Sequence, residues 1–291
     1  MDWEKNSAEK DGYPFYMEKE IMEQPRAISD TITPRIKNGM PDFEKDGIPD
    51  SLFTDCDRIC IVACGTAMHA GLVFQALVKS ILNMHIDVDL ASEFIYGDPV
   101  IDEKTLVIAV SQSGETIDTL EAVKYAKGKG AKTLGIINVK GSSIAREADH
   151  VLYTNAGPEI AVASTKAYTT QLSLFFLIVC KMASLKGIWD DAKTKSFTKE
   201  MSSVPDAVQK MLDNRRQIHV VARTVLDASD LFMIGRGLDY SILQEGSLKM
   251  KEVSYIHSEA YASGELKHGP IALITDSTPG SCGRYAEEAY I

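Results

Sequence analysis

Positive charge is scarce in this chain, and so are cysteine and long apolar runs. Against 41 Asp and Glu stand 31 Lys and Arg, a formal net charge of −10 with a pI near 5.2. Nonspecific nucleic-acid binding needs a basic footprint, so that class is excluded. A local basic pocket for a small anion is not. There are 5 cysteines, an odd number, and the start MDWEKNSAEKDGYPF has no apolar core of a secretory signal. Both features point to a reducing compartment, and the cytoplasm is expected. A metal reading of Cys56, Cys60 and Cys64 is weak. Cys60 and Cys64 belong to the apolar run RICIVAC, where buried thiols act as small hydrophobes. No metal site and no cofactor is expected. The longest strongly apolar segment, LSLFFLIVC, is about half the ~20 residues a membrane span needs. The chain also has no G-x-x-x-x-G-K-[ST] phosphate loop and no recognisable helix-turn-helix.

What is present is a pattern of alternation. Hydrophobic residues make up 45% of the 291 residues and charged residues 25%, an ordinary globular composition with room for roughly two domains of ~100–200 residues each. MEKEIMEQPRAISDTITPRIK, from Met17 to Lys37, has helical spacing interrupted at Pro25, which is tolerated in the first turn of a new helix. RICIVACG reads as a buried strand ending at Gly65, and TAMHAGLVFQALVKSIL as a helix. IDVDLASEF, TLVIAVS, KTLGIINV and ADHVLYT read as four more strands, with a helix from about Thr116 to Lys127. KAYTTQLSLFFLIVCKMASLKG is a long apolar helix. A helical stretch from Met201 to Ser229 follows, then the strand DLFMIGRG and the helix LDYSILQEGSLKMKEVSYI. Strands alternating with helices imply an α/β fold with a parallel sheet covered on both faces.

RICIVACGTAMHAG and DLFMIGRGLDYSIL align about 170 residues apart, and ASEF and SEAY follow at similar distances. An internal duplication of one α/β unit is expected, with the second copy running out soon after Leu273. The division is residues 1–50 as linker and leading helices, 51–200 as a first domain, and 201–291 as a second, incomplete one.

Chemistry concentrates at the ends of the strands. SQSGET, Ser111 to Thr116, sits where a central strand meets a helix, the edge at which open α/β sheets bind ligands. A helix N-terminus offers unpaired N–H groups, and Ser111, Ser113 and Thr116 add hydroxyls, Gln112 an amide and Gly114 close backbone approach. The set suits a phosphate; the other reading is a turn closed by an N-cap. CGTA (Cys64 to Ala67) alone reads as a turn after a strand, whereas ASTKAYTTQL (Ala163 to Leu172) is as compatible with a cap as with a ligand contact. On EGSLKMKE, Lys249 shares a helical face with Glu245 and with Glu252, which by itself describes surface ion pairs. His268 in GELKHGP could move protons near neutral pH or be simply solvated.

CGT, SQSGETIDTL, NAGPEIAVASTKAYTTQL and EGSLKMKEVSYIHSEAYASGELKHGP, in this order and spacing, resemble the isomerase half of the glutamine–fructose-6-phosphate aminotransferase (isomerizing) family, the glucosamine-6-phosphate synthases. The resemblance runs from about Ala8 to Pro279, and MEKEIMEQP resembles the segment that joins the family's glutaminase domain to that half. It implies two sugar isomerase (SIS) domains, each a five-stranded parallel sheet flanked by helices in a flavodoxin-like three-layer arrangement. It also implies conversion of fructose 6-phosphate to glucosamine 6-phosphate by a homodimer with shared active sites. By that resemblance Ser111, Gln112, Ser113 and Thr116 bind the phosphate, and Thr66, Val162, Ala163 and Ser164 line the sugar site. Glu252 is the base that shuttles a proton between C1 and C2, and Lys249 assists near the substrate hydroxyls. His268 helps open the ring, from the neighbouring subunit.

The departures from the family are specific. Ala67 stands where many members have a ligand-contacting serine. Met1 is followed by Asp2, not by the glutaminase's cysteine nucleophile, and no residue answers to the imine-forming lysine of the family's C-terminal tail. Severely reduced or absent turnover is therefore expected. After Pro279 the chain reads GSCGRYAEEAYI where the family continues with an apolar strand resembling VVAVATQ. A one-base shift can restore a reading VAAVATQKKLT, so a frameshift or gene fragment is expected, and uncovered strand edges with it. The rival readings are a noncatalytic sugar-phosphate-binding SIS module, or another SIS enzyme such as a deglycase or phosphosugar isomerase.

Overall fold

A computed structural model describes residues 9–275 and 279–282. The start at Met1 and Asp2 and the tail beyond Cys282 lie outside the described residues. The chain divides into two compact units, Met1–Lys210 and Met211–Ile291.

The first unit opens with helices α1 (Tyr16–Met22) and α2 (Gln24–Ile32) and a small antiparallel pair, β1 (Ile36–Lys37) and β2 (Met40–Pro41). The helical stretch interrupted at Pro25 is two helices, as its sequence indicates. Pro25 starts the second, in the first turn where its missing N–H costs nothing. A short helix α3 (Ser51–Thr54) precedes the main repeat: β3 (Arg58–Ala63), α4 (Thr66–Leu77, extended by a π-type turn over Val78–Leu82), β4 (His85–Leu90), α5 (Ala91–Phe94), β5 (Thr105–Ser111), α6 (Ile117–Gly128), β6 (Lys132–Ile137), α7 (Ser143–Glu147), β7 (His150–Tyr153) and α8 (Lys166–Leu185).

The five long strands form one parallel sheet in the order β4-β3-β5-β6-β7. Every residue of β5 is buried, and five of the six in β3. Central strands covered on both faces read as unbroken apolar runs, which is why RICIVA and TLVIAVS lack alternation. On one face Cys60, Val62, Val107 and Ala109 pack under Ala122, Val123 and Ala126 of α6, with Phe94 and Ile144 closing the sides. The other face is covered by α4, and a stacked pair of rings, Phe74 and Phe175 at 4.4 Å, ties α4 to α8. Each fully buried phenylalanine is worth roughly 1.5–3 kcal/mol. α8 is long and apolar enough to cross a membrane, but most of its residues are buried in the first unit, as in a core helix.

α9 (Asp191–Asp213) carries the chain across the division between units, and α10 (Arg215–Arg223) follows after a break at Asn214. The second unit has β8 (Asp230–Gly235), α11 (Leu238–Ser254), β9 (His257–Ala262) and β10 (Gly280–Cys282), with a parallel sheet ordered β10-β8-β9.

The duplication is visible in register. Arg58 pairs with His85 in the first sheet and Asp230 with His257 in the second, a constant offset that also carries Gly65 onto Gly237. The two glycines share one conformation, φ 55°, ψ −130° and φ 55°, ψ −126°, which an L side chain rarely adopts. Two expectations change. ASEF is not the end of a strand: the ladder with β3 stops at Leu90 opposite Ala63, and the freed backbone turns into α5. By register ASEF corresponds to Ser263–Leu266 rather than to SEAY, which lies inside β9. Past Leu273 the described residues of the second copy add one short strand. β10 lies on β8 as β5 lies on β3, so that edge of β8 is paired by Gly280–Cys282.

Candidate sugar-phosphate site

β5 ends at Ser111, which is buried, and the chain then turns sharply into α6. The turn is held from inside. Ser111 Oγ accepts the N–H of Gly114 at 2.9 Å and lies 3.1 Å from Thr116 Oγ1. Ser113 Oγ accepts the N–H of Glu115 at 3.2 Å. The Gln112 carbonyl accepts from Asn138 and Val139 at the end of β6, and the Gly114 carbonyl accepts from Ile144 of α7. Glu115 Oε1 accepts the N–H of Ser143 at 2.9 Å, and hydrogen bonds from Ser143 hold its carboxyl below the usual carboxylate range. Gly114 has φ 66°. A Cβ there would lie 2.0 Å from Ser142 Oγ and 2.8 Å from Ile137 Cγ2, so only glycine fits.

The loop borders a cavity of about 180 Å³ at the C-terminal edge of the first sheet. Thr66, Ser111, Gln112, Ser113, Thr116 and Ser164 all line it, together with Cys64, Ala67, Val110 and Gln171. Thr66 arrives through the Gly65 turn at the head of α4, and Thr116 through the N-cap of α6. Two expected members lie elsewhere. Val162 is fully exposed and Ala163 is buried beside Ser164, and neither borders the cavity. Gln171 lies within the stretch ASTKAYTTQL but is given no role by the sequence reading.

The loop that delivers Ser164 is anchored by carboxylates. Glu159 Oε2 accepts the Ser164 hydroxyl at 2.9 Å, while its Oε1 accepts the N–H groups of Thr165 (2.9 Å) and Ala167 (3.1 Å). It thereby caps α8, where a negative charge also meets the positive end of the helix dipole. Glu20 of α1 reaches the same loop, its Oε1 accepting from Ile160 at 2.6 Å and Ala161 at 3.1 Å. Lys166, only 2% exposed, pairs with Glu23 at 2.6 Å. The leading helices therefore hold the loop from below.

Burial pushes the Glu20 carboxyl above its ordinary 4.5, only partly offset by the two backbone N–H donors. Its Oε2 is buried without a partner. An acid whose folded pKa is raised keeps a proton that the unfolded chain has released. Stability therefore falls as pH rises from 4.5 through the folded value, and stays lower above it. Glu20→Gln keeps the carbonyl acceptor and removes the charge. Urea midpoints between pH 4.5 and 8 should show the variant gaining on the parent as pH rises; parallel curves would contradict this.

In the second unit, Lys249 of α11 lies between Glu245 (3.3 Å) and Glu252 (2.5 Å). Glu245 is nearly sealed, whereas Glu252 is a third exposed. His268 is exposed on the turn after β9, where its N–H donates to the Glu265 carbonyl.

A repeated parallel α/β unit with a hydroxyl-lined turn at the sheet edge is the architecture of the SIS class. The SIS domain family model matches residues 52–181 and 225–279, and the chain belongs to that family. Its sequence is 51% identical over 280 residues to the glutamine–fructose-6-phosphate aminotransferase (isomerizing) of Clostridium tetani, and 50% identical over 279 residues to that of Caldanaerobacter subterraneus. Each match covers 96% of this chain and 46% of the relative, so the chain spans under half the length of these proteins. Its fold matches the C-terminal domain of glucosamine-fructose-6-phosphate aminotransferase from Francisella tularensis with a TM-score of 0.91 and 40% identity, covering 96% of this chain and 79% of that one. Within the SIS proteins, it is a member of the isomerizing glutamine–fructose-6-phosphate aminotransferases, corresponding to their C-terminal isomerase part.

Proposed function

We propose that the cavity of the first unit binds fructose 6-phosphate, and that the chain supplies the isomerase part of an enzyme making glucosamine 6-phosphate. The observation that carries this reading is the convergence of Thr66, Ser111, Gln112, Ser113, Thr116 and Ser164 on one cavity at a sheet edge. Hydroxyl and backbone donors at a helix N-terminus match a phosphate dianion, which only accepts hydrogen bonds. In this reading the phosphate anchors one end of the substrate and its binding energy positions the reacting carbons.

Ring opening needs an acid–base group, which is the role proposed for His268. Proton transfer between C1 and C2 needs a carboxylate, the role proposed for Glu252, with Lys249 beside it. Val162 and Ala163, outside the cavity lining, keep a proposed place near the sugar only by the family resemblance. Homodimerisation, a glutaminase domain in the longer parent and a cytoplasmic location belong to the same proposal. The rivals are a binding module without catalysis and a SIS enzyme acting on another phosphosugar.

Calorimetric titration separates them. Fructose 6-phosphate should bind more tightly than other hexose 6-phosphates. Ser113→Ala and Thr116→Val should each weaken it about tenfold or more, since a hydrogen bond to a charged group contributes about 1.5–3 kcal/mol. Equal affinity for several hexose phosphates would favour the rivals, and unchanged affinity in both variants would remove the phosphate from this loop.

A further inference from the structure

We propose that Gln171 is a ligand-contacting residue of the cavity, its amide hydrogen-bonding a hydroxyl of the sugar moiety. The proposal rests on the reading of the cavity as a sugar-phosphate site. Gln171 is 2% exposed and borders the cavity from α8, not from the loop after β5. Its Oε1 is sealed from solvent with no hydrogen-bond partner. The amide makes no side-chain hydrogen bond among the described residues.

Three polar neighbours on the same helix are provided for. The Thr170 hydroxyl donates to the carbonyls of Lys166 and Ala167, the Ser173 hydroxyl to that of Thr169, and Lys166 pairs with Glu23. Buried polar groups in folded proteins are nearly always hydrogen-bonded, and of the buried side-chain atoms without a partner among the described residues only that of Gln171 belongs to a residue lining this cavity, where a ligand can supply one. Phosphate already has the donors of Ser111, Ser113 and Thr116, and it cannot serve an amide oxygen. A half-turn of the amide presents either a donor or an acceptor, and a hydroxyl satisfies both.

This assignment separates binding from folding. A residue kept for the fold loses stability when truncated. A residue kept for a ligand, and unpaired without it, does not. Gln171→Met retains the length of the side chain and removes both polar atoms. The full chain and this variant are titrated with fructose 6-phosphate and, separately, with inorganic phosphate, and both are melted without ligand. Ser113→Ala serves as the control for the cavity.

The proposal requires Gln171→Met to melt at or above the parent temperature and to bind fructose 6-phosphate at least fivefold more weakly, with inorganic phosphate unchanged. Equal weakening toward both ligands would move the contact to the phosphate and overturn it. A lower melting temperature with unchanged affinity would make Gln171 structural and overturn it as well. Binding reduced by Ser113→Ala but not by Gln171→Met would sink this proposal alone. A parent chain that binds neither ligand would sink the reading beneath it.

Discussion

Gly114→Ala should destabilise the first unit by about 3 kcal/mol and abolish sugar-phosphate binding. Two costs add. The backbone at Gly114 has φ 66°, and a left-handed conformation costs an L residue roughly 1–2 kcal/mol. The new methyl would also lie 2.0 Å from Ser142 Oγ, 2.6 Å from Ser142 Cβ and 2.8 Å from Ile137 Cγ2. Forcing a methyl into packed surroundings typically costs about 1–3 kcal/mol. For a unit of this size the melting temperature should drop by roughly 6–12 °C. The binding loss is a separate consequence. The Gly114 N–H is held by Ser111 Oγ and its carbonyl by Ile144, so a shift here displaces the hydroxyls on both sides. Adding Ser142→Gly removes two of the three close contacts and should restore part of the stability, leaving the conformational cost. Calorimetric melting of the two variants checks this; a Gly114→Ala chain that melts with the parent would contradict it.

Glu23→Ala should cost about 2–3 kcal/mol, because it strands a buried ammonium. Lys166 is 2% exposed and its partner lies at 2.6 Å. Removing one member of a buried pair costs about 3–5 kcal/mol, since the other charge is left uncompensated. Glu23 is a third exposed, so water admitted by the truncation recovers part of that. The double variant Glu23→Gln, Lys166→Met removes both charges at similar volume and should return close to parent stability. Urea titration of the single and double variants decides it; a loss below about 1 kcal/mol in Glu23→Ala would mean the pair is not buried in solution. Lys166 follows Ser164 by two residues and begins α8, so the single variant should also loosen the loop that delivers Ser164 to the cavity.

The first sheet and the hydroxyl-lined turn after β5 are legible in the sequence for physical reasons. Thr105–Ser111 reads as a strand because a fully buried strand needs an unbroken apolar run. The turn after it is readable because a glycine among hydroxyl residues at a strand end marks a tight turn into a helix, whether as a cap or as a ligand loop. The repeat shows in its two strand–glycine–helix starts, at Gly65 and Gly237. The features that local pattern misses are decided by distant partners. ASEF continues an apolar alternation, yet β3 offers no partner beyond Ala63. Ser143–Glu147 is too short for helical periodicity to show. Glu20 and Glu23 look like solvent-facing charges on a leading helix. Glu20 instead holds a loop some 140 residues away and Glu23 the buried Lys166 at the head of α8, partners that local pattern cannot contain. Gln171 stands in a helix whose Thr170 and Ser173 hydroxyls are satisfied within the helix, and its place at the cavity distinguishes it.

The central claim is that the turn after β5 holds the phosphate of a sugar phosphate. Titration of the full chain with fructose 6-phosphate, against unphosphorylated fructose at the same concentrations, tests it most directly. Saturable binding of fructose 6-phosphate that Gly114→Ala abolishes, with no measurable binding of fructose, is the predicted result. Equal binding of the two sugars, or no binding of either, would contradict it.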